Sequence, residues 1–460
     1  MNDLKNIENI YFLGIGGIGM SALARYFRRT GKNVAGYDRT WTPLTMQLAA
    51  EGIDVHYEDS VNLISPTYHR DNTLVVLTPA VPADHSEYVF LKENDFSILK
   101  RSQVLGKIAN GFRTIAVAGT HGKTTVSTMI AHIMSQSTLG CNAFLGGISK
   151  NLDSNLIINS ESEWMVTEAD EFDRSFLQLY PYAGVITAMD PDHLDIYGNA
   201  ESMYNSFNAY AGQISRDGIL LIKKGLPLVS EKIPAKTYTY TLRDNSDFFA
   251  ENIRLENKRY HFDLAAPDRK IKDLSLEHPG LVNVENAVAA AAICMLLQVD
   301  EKTIRKALAE FSGIQRRFDY QLKTDRITFI DDYAHHPREI EATLKSVREL
   351  YPDKKITGIF QPHLFTRTRD FADGFSESLS FLDRLILLDI YPARELPIEG
   401  VTSEMIFRNV TIPDKIMCRK EEIPGLIESS DIEVLITLGA GDIDKLVEPI
   451  RQILLKKIKE

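Results

Sequence analysis

The chain of 460 residues is 44% hydrophobic and 25% charged and carries a formal net charge of −11. That length exceeds what one hydrophobic core sustains and implies about two to four domains, while the acidic balance argues against non-specific binding of nucleic acid. Three cysteines (Cys141, Cys294 and Cys418) stand far apart in sequence, which supports neither a disulfide framework nor a zinc site and fits a reducing cytoplasm.

Met1-Asn2-Asp3-Leu4-Lys5 has no signal-peptide shape, and the longest apolar stretch, Ala287 to Leu297, is too short to span a bilayer. A soluble, cytoplasmic protein without a membrane partner is expected. The first predicted strand, Ile10-Tyr11-Phe12-Leu13, runs into Gly14-Ile15-Gly16-Gly17-Ile18-Gly19-Met20 and an Ala/Leu-rich helix. A second strand over 33–37 ends at Asp38, and 73–77 reads as another. Strands alternating with helices imply a parallel α/β sheet. The Gly14-x-Gly16-x-x-Gly19 spacing, with a strand before it, a helix after it and Asp38 about 20 residues on, predicts a pyrophosphate at a helix N-terminus and a ribose contact from Asp38. NAD and a nucleotide sugar satisfy that pattern equally.

A second block begins near Phe112. The apolar run Ile115-Ala116-Val117-Ala118 breaks on Gly119-Thr120-His121-Gly122-Lys123-Thr124-Thr125. Glycines let backbone N–H groups crowd a polyphosphate, Lys123 reaches the β- and γ-phosphates, and the Thr124 hydroxyl is placed to ligate Mg²⁺. Val117 stands where the general phosphate-loop pattern has its first glycine, so this loop is shorter. An ATP or GTP site follows. Glu168, Asp170, Glu171 and Asp173 come after a strand over 165–167, and Glu168, nearest the strand end, is the metal candidate. At least two of the others read as a solvated acidic turn. His193, in Asp190-Pro191-Asp192-His193-Leu194-Asp195, reads as readily as a structural histidine as a ligand, since Mg²⁺ prefers oxygen. An Ala-rich helix from Asn283 to Leu297 and a helix over 302–311 close the block.

The third block starts near Arg316-Arg317-Phe318. Predicted strands over 327–330 and 356–360 each lead into a motif, Asp331-Asp332-Tyr333-Ala334-His335-His336-Pro337 and Gln361-Pro362-His363-Leu364-Phe365-Thr366-Arg367-Thr368-Arg369. Both are expected to face the crevice at the carboxyl ends of a parallel sheet. In an extended segment the alternating Arg367 and Arg369 share a face and can clamp a carboxylate or phosphate; a plain surface pair is the alternative. Strands over 384–388 and 434–438 follow, the latter leading into Gly439-Ala440-Gly441-Asp442-Ile443. The expected domains are 1–108, 109–315 and 316–460.

Taken together, these motifs resemble the Mur ligases. Gly-Ile-Gly-Gly-Ile-Gly-Met, Gly-Thr-His-Gly-Lys-Thr-Thr, Thr-Glu-Ala-Asp-Glu, Asp-His-Leu-Asp, Asn283-Val-Glu-Asn286, Gly-Ile-Gln-Arg-Arg-Phe-Asp, Asp-Asp-Tyr-Ala-His-His-Pro, Gln-Pro-His and Gly-Ala-Gly-Asp-Ile carry the resemblance through all three blocks. It implies three α/β domains: a Rossmann-like UDP-binding domain, a central P-loop ATPase-like domain, and a C-terminal Rossmann-like domain that binds the amino acid and closes over ATP. It implies a UDP-sugar, not NAD, at Gly14, Gly16, Gly17, Ile18, Gly19 and Asp38. ATP is implied at Gly119, Thr120, His121, Gly122, Lys123, Thr124 and Thr125, with Asn283, Asn286, Arg317 and Asp332. Mg²⁺ is implied at Thr124, Glu168 and His193.

Tyr333, His336, His363 and Arg367 match the region binding the sugar's carboxylate and the amino acid. The catalytic residues implied are Lys123, Glu168, His193, Arg317, Asp332 and His336. The implied reaction is ADP-forming, joining L-alanine to the lactyl carboxylate of UDP-N-acetylmuramate through an acyl phosphate in peptidoglycan precursor synthesis, by a monomer or homodimer. A ligase joining a tripeptide to the same sugar, in peptidoglycan recycling, is the alternative. Leu364 stands where many members carry arginine, Phe365 where tyrosine is frequent, and Gln103 where glutamate is common. Residues 203–210 contain no lysine, so the carbamylated lysine of other branches is not expected.

Overall fold

Apolar runs bounded by glycine and polar turns build three sheets, one in each region that the motif order marks out. The computed structural model describes residues 7–191, 194–243, 245–393 and 395–459. In the first sheet, β1 (Asn9–Leu13), β2 (Asn33–Tyr37), β3 (Asp54–His56), β4 (Thr73–Leu77) and β5 (Ser97–Lys100) lie in the order β3-β2-β1-β4-β5, all parallel. β1 is buried along its whole length, as expected of a strand covered on both faces. The strand order reverses beside β1, which opens a crevice at its carboxyl end. There Gly14 turns the chain into α1 (Ile18–Arg29). After β5 comes α2 (Arg101–Ala109), where Gln103 has a local role: its Oε1 accepts the Lys100 N–H at 2.9 Å and caps the helix.

The second sheet has ten strands. These are β6 (Arg113–Ala118), β7 (Asn142–Ser149), β8 (Ser154–Ile157), β9 (Trp164–Ala169), β10 (Ala183–Ile186), β11 (Ile219–Lys223), β12 (Lys236–Thr241), β13 (Phe248–Glu256), β14 (Arg259–Ala265) and β15 (Lys270–Leu276). Their order is β15-β14-β13-β12-β11-β10-β6-β9-β7-β8. β6 lies between the parallel strands β9 and β10, so a second switch point falls at its carboxyl end, where α3 (Lys123–Gln136) starts. The Ala-rich segment is indeed a helix, α4 (Leu281–Leu296), whose residues 287–294 are all fully buried.

The sequence reading placed no strands in 236–276, where β12–β15 extend this sheet. One face of these strands carries Glu251, Arg254, Asp263, Lys270 and Asp273, and that charge hides the period-two burial pattern.

The third sheet contains β16 (Asp319–Lys323), β17 (Thr328–Asp332), β18 (Ile356–Phe360), β19 (Arg384–Leu387), β20 (Lys415–Met417) and β21 (Val434–Leu438), in the order β16-β17-β21-β18-β19-β20. Only β16 pairs antiparallel. Asp332 and Phe360 both lie opposite Leu438, so the three motifs that begin after β17, β18 and β21 leave the sheet from one edge. Helices α5 (Pro337–Leu350) and α6 (Phe365–Leu379) continue two of them.

The chain divides into two compact units, one holding the first sheet and most of the second, the other built on the third. In the first unit Phe176 is fully buried, stacked on Tyr210 at 5.0 Å and edge-on to Phe207 at 5.2 Å. Phe176→Ala is expected to destabilise this unit by about 3–5 kcal/mol, measured as a lowered urea midpoint; an unchanged midpoint would show that the stack contributes nothing.

Candidate active site

The first glycine loop is shaped by its own strands. Gly14 adopts φ 86°, and the N–H groups of Gly14 and Ile15 donate to Tyr37 O at 2.8 and 2.9 Å. Asp38 Oδ2 accepts the Gly16 N–H at 2.7 Å, and its Oδ1 accepts the Thr40 N–H at 2.9 Å. Asp38 therefore fixes the loop as well as standing where a ribose contact was expected. Gly17 precedes the first turn of α1 with no side-chain cap, which leaves helix-start N–H groups for an anion, and Ile18 is exposed beside it.

Behind this turn, Asn155 on β8 donates from Nδ2 to Ile18 O at 2.6 Å and Ser21 Oγ at 3.0 Å, while its Oδ1 accepts from Arg25 Nη1 at 2.6 Å. Arg25 also pairs with Glu51 at 2.8 Å. This buried network ties the loop to the second sheet, and no sequence motif announced it.

A cavity of about 240 Å³ joins the two sheets. Ile18 and Gly19 line one side, Phe144, Gly146, Glu168 and Asp170 the other, and Arg101 projects into it. A Cβ at Gly19 would stand 2.9 Å from Arg101 Nη1, so glycine is what admits the guanidinium. Arg101 is a cavity-lining side chain that the sequence reading passed over. It pairs with Asp170 at 3.5 Å.

At the second loop Gly119 (φ 136°) and Gly122 (φ 83°) both occupy backbone conformations that favour glycine, and a Cβ on Gly119 would collide with Thr187 and Ala188. The segment after β10 holds the loop: the Thr120 N–H donates to Ala188 O at 3.1 Å, the Asp190 N–H to Thr120 Oγ1 at 3.1 Å, and the Thr187 hydroxyl to Ala118 O and His121 O. His121 lies 3.6 Å from Asp190. Lys123, Thr124 and Thr125 form the first turn of α3, with both threonines buried. Burial alone lowers the affinity of the Lys123 amine for its proton. The Glu171 and Asp170 charges and the Glu171 hydrogen bond outweigh this, so the net shift is upward and Lys123 is an ammonium. Asn286 on α4 stands over Gly122, and Asn283 donates to Pro279 O at 2.6 Å.

Glu168 is not beyond β9 but within its last two residues, paired with Val117 of β6. Its Oε1 accepts the Gly146 N–H at 3.0 Å, and Gly146 has no room for a Cβ against that carboxylate. The other acids divide: Glu171 binds Lys123, Asp170 faces Arg101, and Asp173 binds Lys100 at 2.8 Å on the surface. His193 and Asp192 lie outside the described residues. Among the described residues no three His, Cys, Asp or Glu gather into a metal cage. Thr124 and Glu168 offer hydroxyl and carboxylate oxygens, which suits Mg²⁺, a cation that usually keeps waters and takes further ligands from substrate phosphates.

In the second unit Asp332 ends β17. Its Oδ1 accepts the Ala334 N–H at 2.8 Å and its Oδ2 the Phe318 N–H at 3.0 Å. Burial raises its carboxyl to about 6, against the pull of the Arg317 guanidinium. Arg317 lies over the Tyr333 ring at 4.9 Å, whereas its neighbour Arg316 is a pin, donating to Gly439 O at 2.8 Å and lying 3.4 Å from Asp331. His336 caps α5: its Nδ1 accepts the Arg338 N–H at 3.3 Å and its ring packs against Phe371. His363 stacks on Tyr391, with Nδ1 3.5 Å from Arg367 Nη1.

Arg367 and Arg369 do not share a face. The segment is the start of α6 and not extended, so the two side chains diverge; Arg367 is 7% exposed, while Arg369 is exposed and pairs with Asp370. Leu364 precedes α6 in a left-handed conformation (φ 71°) and donates its N–H to Tyr391 O at 2.9 Å. Gln361 explains why its motif and Gly439–Ile443 belong together: Nε2 donates to Asp442 Oδ1 at 2.9 Å, and Oε1 accepts the Ile443 N–H at 3.0 Å.

His335, which no sequence argument favoured over its neighbour, sits at the centre of this group. Burial pushes its imidazole down to about 4; Glu339 opposes that shift, and Arg367 and Arg317 add to it. A folded pKa below the unfolded one means that the unfolded chain takes up the proton first, so stability is lost as pH falls from about 6.5 to 4. His335→Gln is expected to remove that loss, about 3–4 kcal/mol at most. The check is the wild-type minus variant difference in unfolding free energy against pH; a flat difference would contradict it.

Family models described as "Mur ligase family, catalytic domain", "Mur ligase middle domain" and "Mur ligase, glutamate ligase domain" match residues 9–113, 117–294 and 316–441. The chain is 53% identical over 462 residues to the UDP-N-acetylmuramate–L-alanine ligase of Parabacteroides distasonis, covering 100% of both. It is similar to the solved UDP-N-acetylmuramate-alanine ligase of Thermotoga maritima, with a TM-score of 0.82 and 27% identity over 98% of this chain and 99% of that one. A murein peptide ligase from Psychrobacter arcticus shares the fold at a TM-score of 0.70, with 22% identity and 98% of each chain covered. With three consecutive domain models matched and more than half of all positions shared along the full length of a relative, this chain belongs to the Mur ligase family.

Proposed function

We propose that this chain joins L-alanine to the lactyl carboxylate of UDP-N-acetylmuramate, converting ATP to ADP and phosphate. The observation that carries the reading is the cavity shared by the first glycine loop, Arg101 and Glu168, because the start of α1, a guanidinium and a carboxylate line one space, which suits an acidic sugar nucleotide and a cation. The UDP-sugar occupies the loop at Gly14–Gly19 with its acid end toward Glu168, and Arg101 holds its negative charge. ATP occupies Gly119–Thr125, with Asn283, Asn286, Arg317 and Asp332 as further contacts on the strength of the family resemblance. The tripeptide-joining alternative is not favoured, since the 53% identical relative is an alanine ligase along its whole length.

Carboxylate and amine do not condense in water without activation. A carboxylate oxygen attacks the γ-phosphorus, the bond to the bridging oxygen breaks, and ADP leaves an acyl phosphate. Lys123 and the loop N–H groups meet the charge that spreads over the transferring phosphoryl. Thr124, Glu168 and His193 are the proposed Mg²⁺ ligands; the bound ion supplies further neutralisation of phosphate charge. The L-alanine nitrogen, once deprotonated, attacks the acyl carbon, and the carbon–oxygen bond to phosphate breaks. Tyr333, His363 and Arg367 hold the amino acid. His336 or His363 takes the proton; Nδ1 of the first also caps α5, and Nδ1 of the second lies 3.5 Å from Arg367 Nη1.

The domain limits proposed are 1–108 for the UDP-sugar, 109–315 for ATP and 316–460 for the amino acid. Its two nucleotide substrates favour a reaction in the cytoplasm. Among the described residues no helix is long and apolar enough to cross a membrane.

ADP release measured with UDP-N-acetylmuramate against a panel of acceptors is expected to require L-alanine, and Lys123→Ala to lose at least about 100-fold in kcat. Preference for a tripeptide, or amide formed without ATP consumption, would overturn the reading. Gly146→Ala is expected to push the Glu168 carboxylate aside and raise the Mg²⁺ concentration for half-maximal rate about tenfold or more, with an unaltered circular dichroism spectrum. An unchanged Mg²⁺ dependence would remove Glu168 from the metal site.

A further inference from the structure

The Lys123 ammonium has three N–H donors, and each has a protein acceptor: Gly119 O at 2.7 Å, Glu171 Oε2 at 2.7 Å and Glu171 Oε1 at 2.9 Å. Glu171 is only 1% exposed, and the buried Tyr197 hydroxyl donates to its backbone carbonyl at 2.6 Å, which fixes the main chain that carries the carboxylate. A phosphate oxygen therefore gains a Lys123 donor only by displacing one of these acceptors. Gly119 O belongs to the strained turn itself, which leaves Glu171 as the exchangeable partner.

We propose that Glu171 is a positioning residue that holds Lys123 in competition with the polyphosphate, so that nucleotide binding transfers this ammonium from a buried carboxylate to phosphate. The inference rests on the assignment of ATP to Gly119–Thr125. It gives the site a way to weigh phosphate number: a nucleotide whose phosphates reach Lys123 must displace the pair, whereas AMP leaves it intact. The same carboxylate recaptures Lys123 as phosphate and ADP depart.

The test is isothermal titration calorimetry of ATP, and of AMP by competition, on wild type and Glu171→Gln. This substitution keeps side-chain shape and removes the charge. ATP is expected to bind about three- to tenfold tighter to the variant, with AMP affinity unchanged. In a Lys123→Met background the same substitution should leave ATP affinity unaltered. Parallel changes for ATP and AMP would reveal a merely structural residue, and tightening that persists without Lys123 would mean general repulsion; either result overturns the proposal.

Should Glu171→Gln not fold, Glu171→Asp decides, because the shorter carboxylate is drawn back from Lys123. A smaller rise in the ATP-to-AMP affinity ratio is expected, and an unchanged ratio overturns the proposal. Wild-type protein that binds no ATP would overturn the site assignment along with it, whereas normal ATP binding with an unmoved ratio overturns this inference alone.

Discussion

The site depends on one constraint: a strand buried between two neighbours must turn directly into a helix without leaving its backbone donors unmet. β6 ends at Ala118 and α3 begins at Lys123, with Gly119 and Gly122 both at positive φ between them. Such a turn aims the first N–H groups of α3 into the crevice beside β9 and β10, and an anion is their natural partner. Glu168 and the segment at 187–190 are placed by the same strand pairing, since they end β9 and follow β10. Geometry set by sheet topology thus becomes local electrostatics.

That electrostatics runs against the sign of the whole molecule. Beside the proposed anion sites this acidic chain keeps a few fixed cations, each held by an acid of its own: Lys123 by Glu171, Arg101 by Asp170, Arg317 near Glu339. Such pairing keeps the cations oriented in partly dehydrated surroundings. In the third sheet the register of β17, β18 and β21 repeats the theme, with three motifs leaving one edge and Gln361 locking two of them together.

How much of this was legible in the sequence follows from physics. The two glycine loops could be read because positive φ and close approach demand glycine at particular spacings, and both loops stand where they were expected. Asp38 follows β2 and Lys123 opens α3, and each has a protein partner that the sequence did not disclose. Contacts between side chains far apart in the chain have no local signature, so Arg101 beside Gly19, Arg25 with Asn155, and Glu171 under Lys123 went unread. Glu171 was lost in an acidic run whose four members turned out to have different partners. The strands of 236–276 were masked by charge on their open face. Arg367 and Arg369 misled because a period of two fits a strand, while the helix of α6 carries them to different sides.

The central claim is that the turn between β6 and α3 receives the triphosphate whose terminal phosphoryl is transferred. A crystal structure with Mg²⁺ and a non-hydrolysable ATP analogue tests it most directly. The account predicts the phosphates along residues 119–125, with Lys123 Nζ within about 3 Å of a β- or γ-phosphate oxygen and the metal touching Thr124 and Glu168. Triphosphate density at Gly14–Gly19, or anywhere that leaves Lys123 bound only to Gly119 and Glu171, would contradict it.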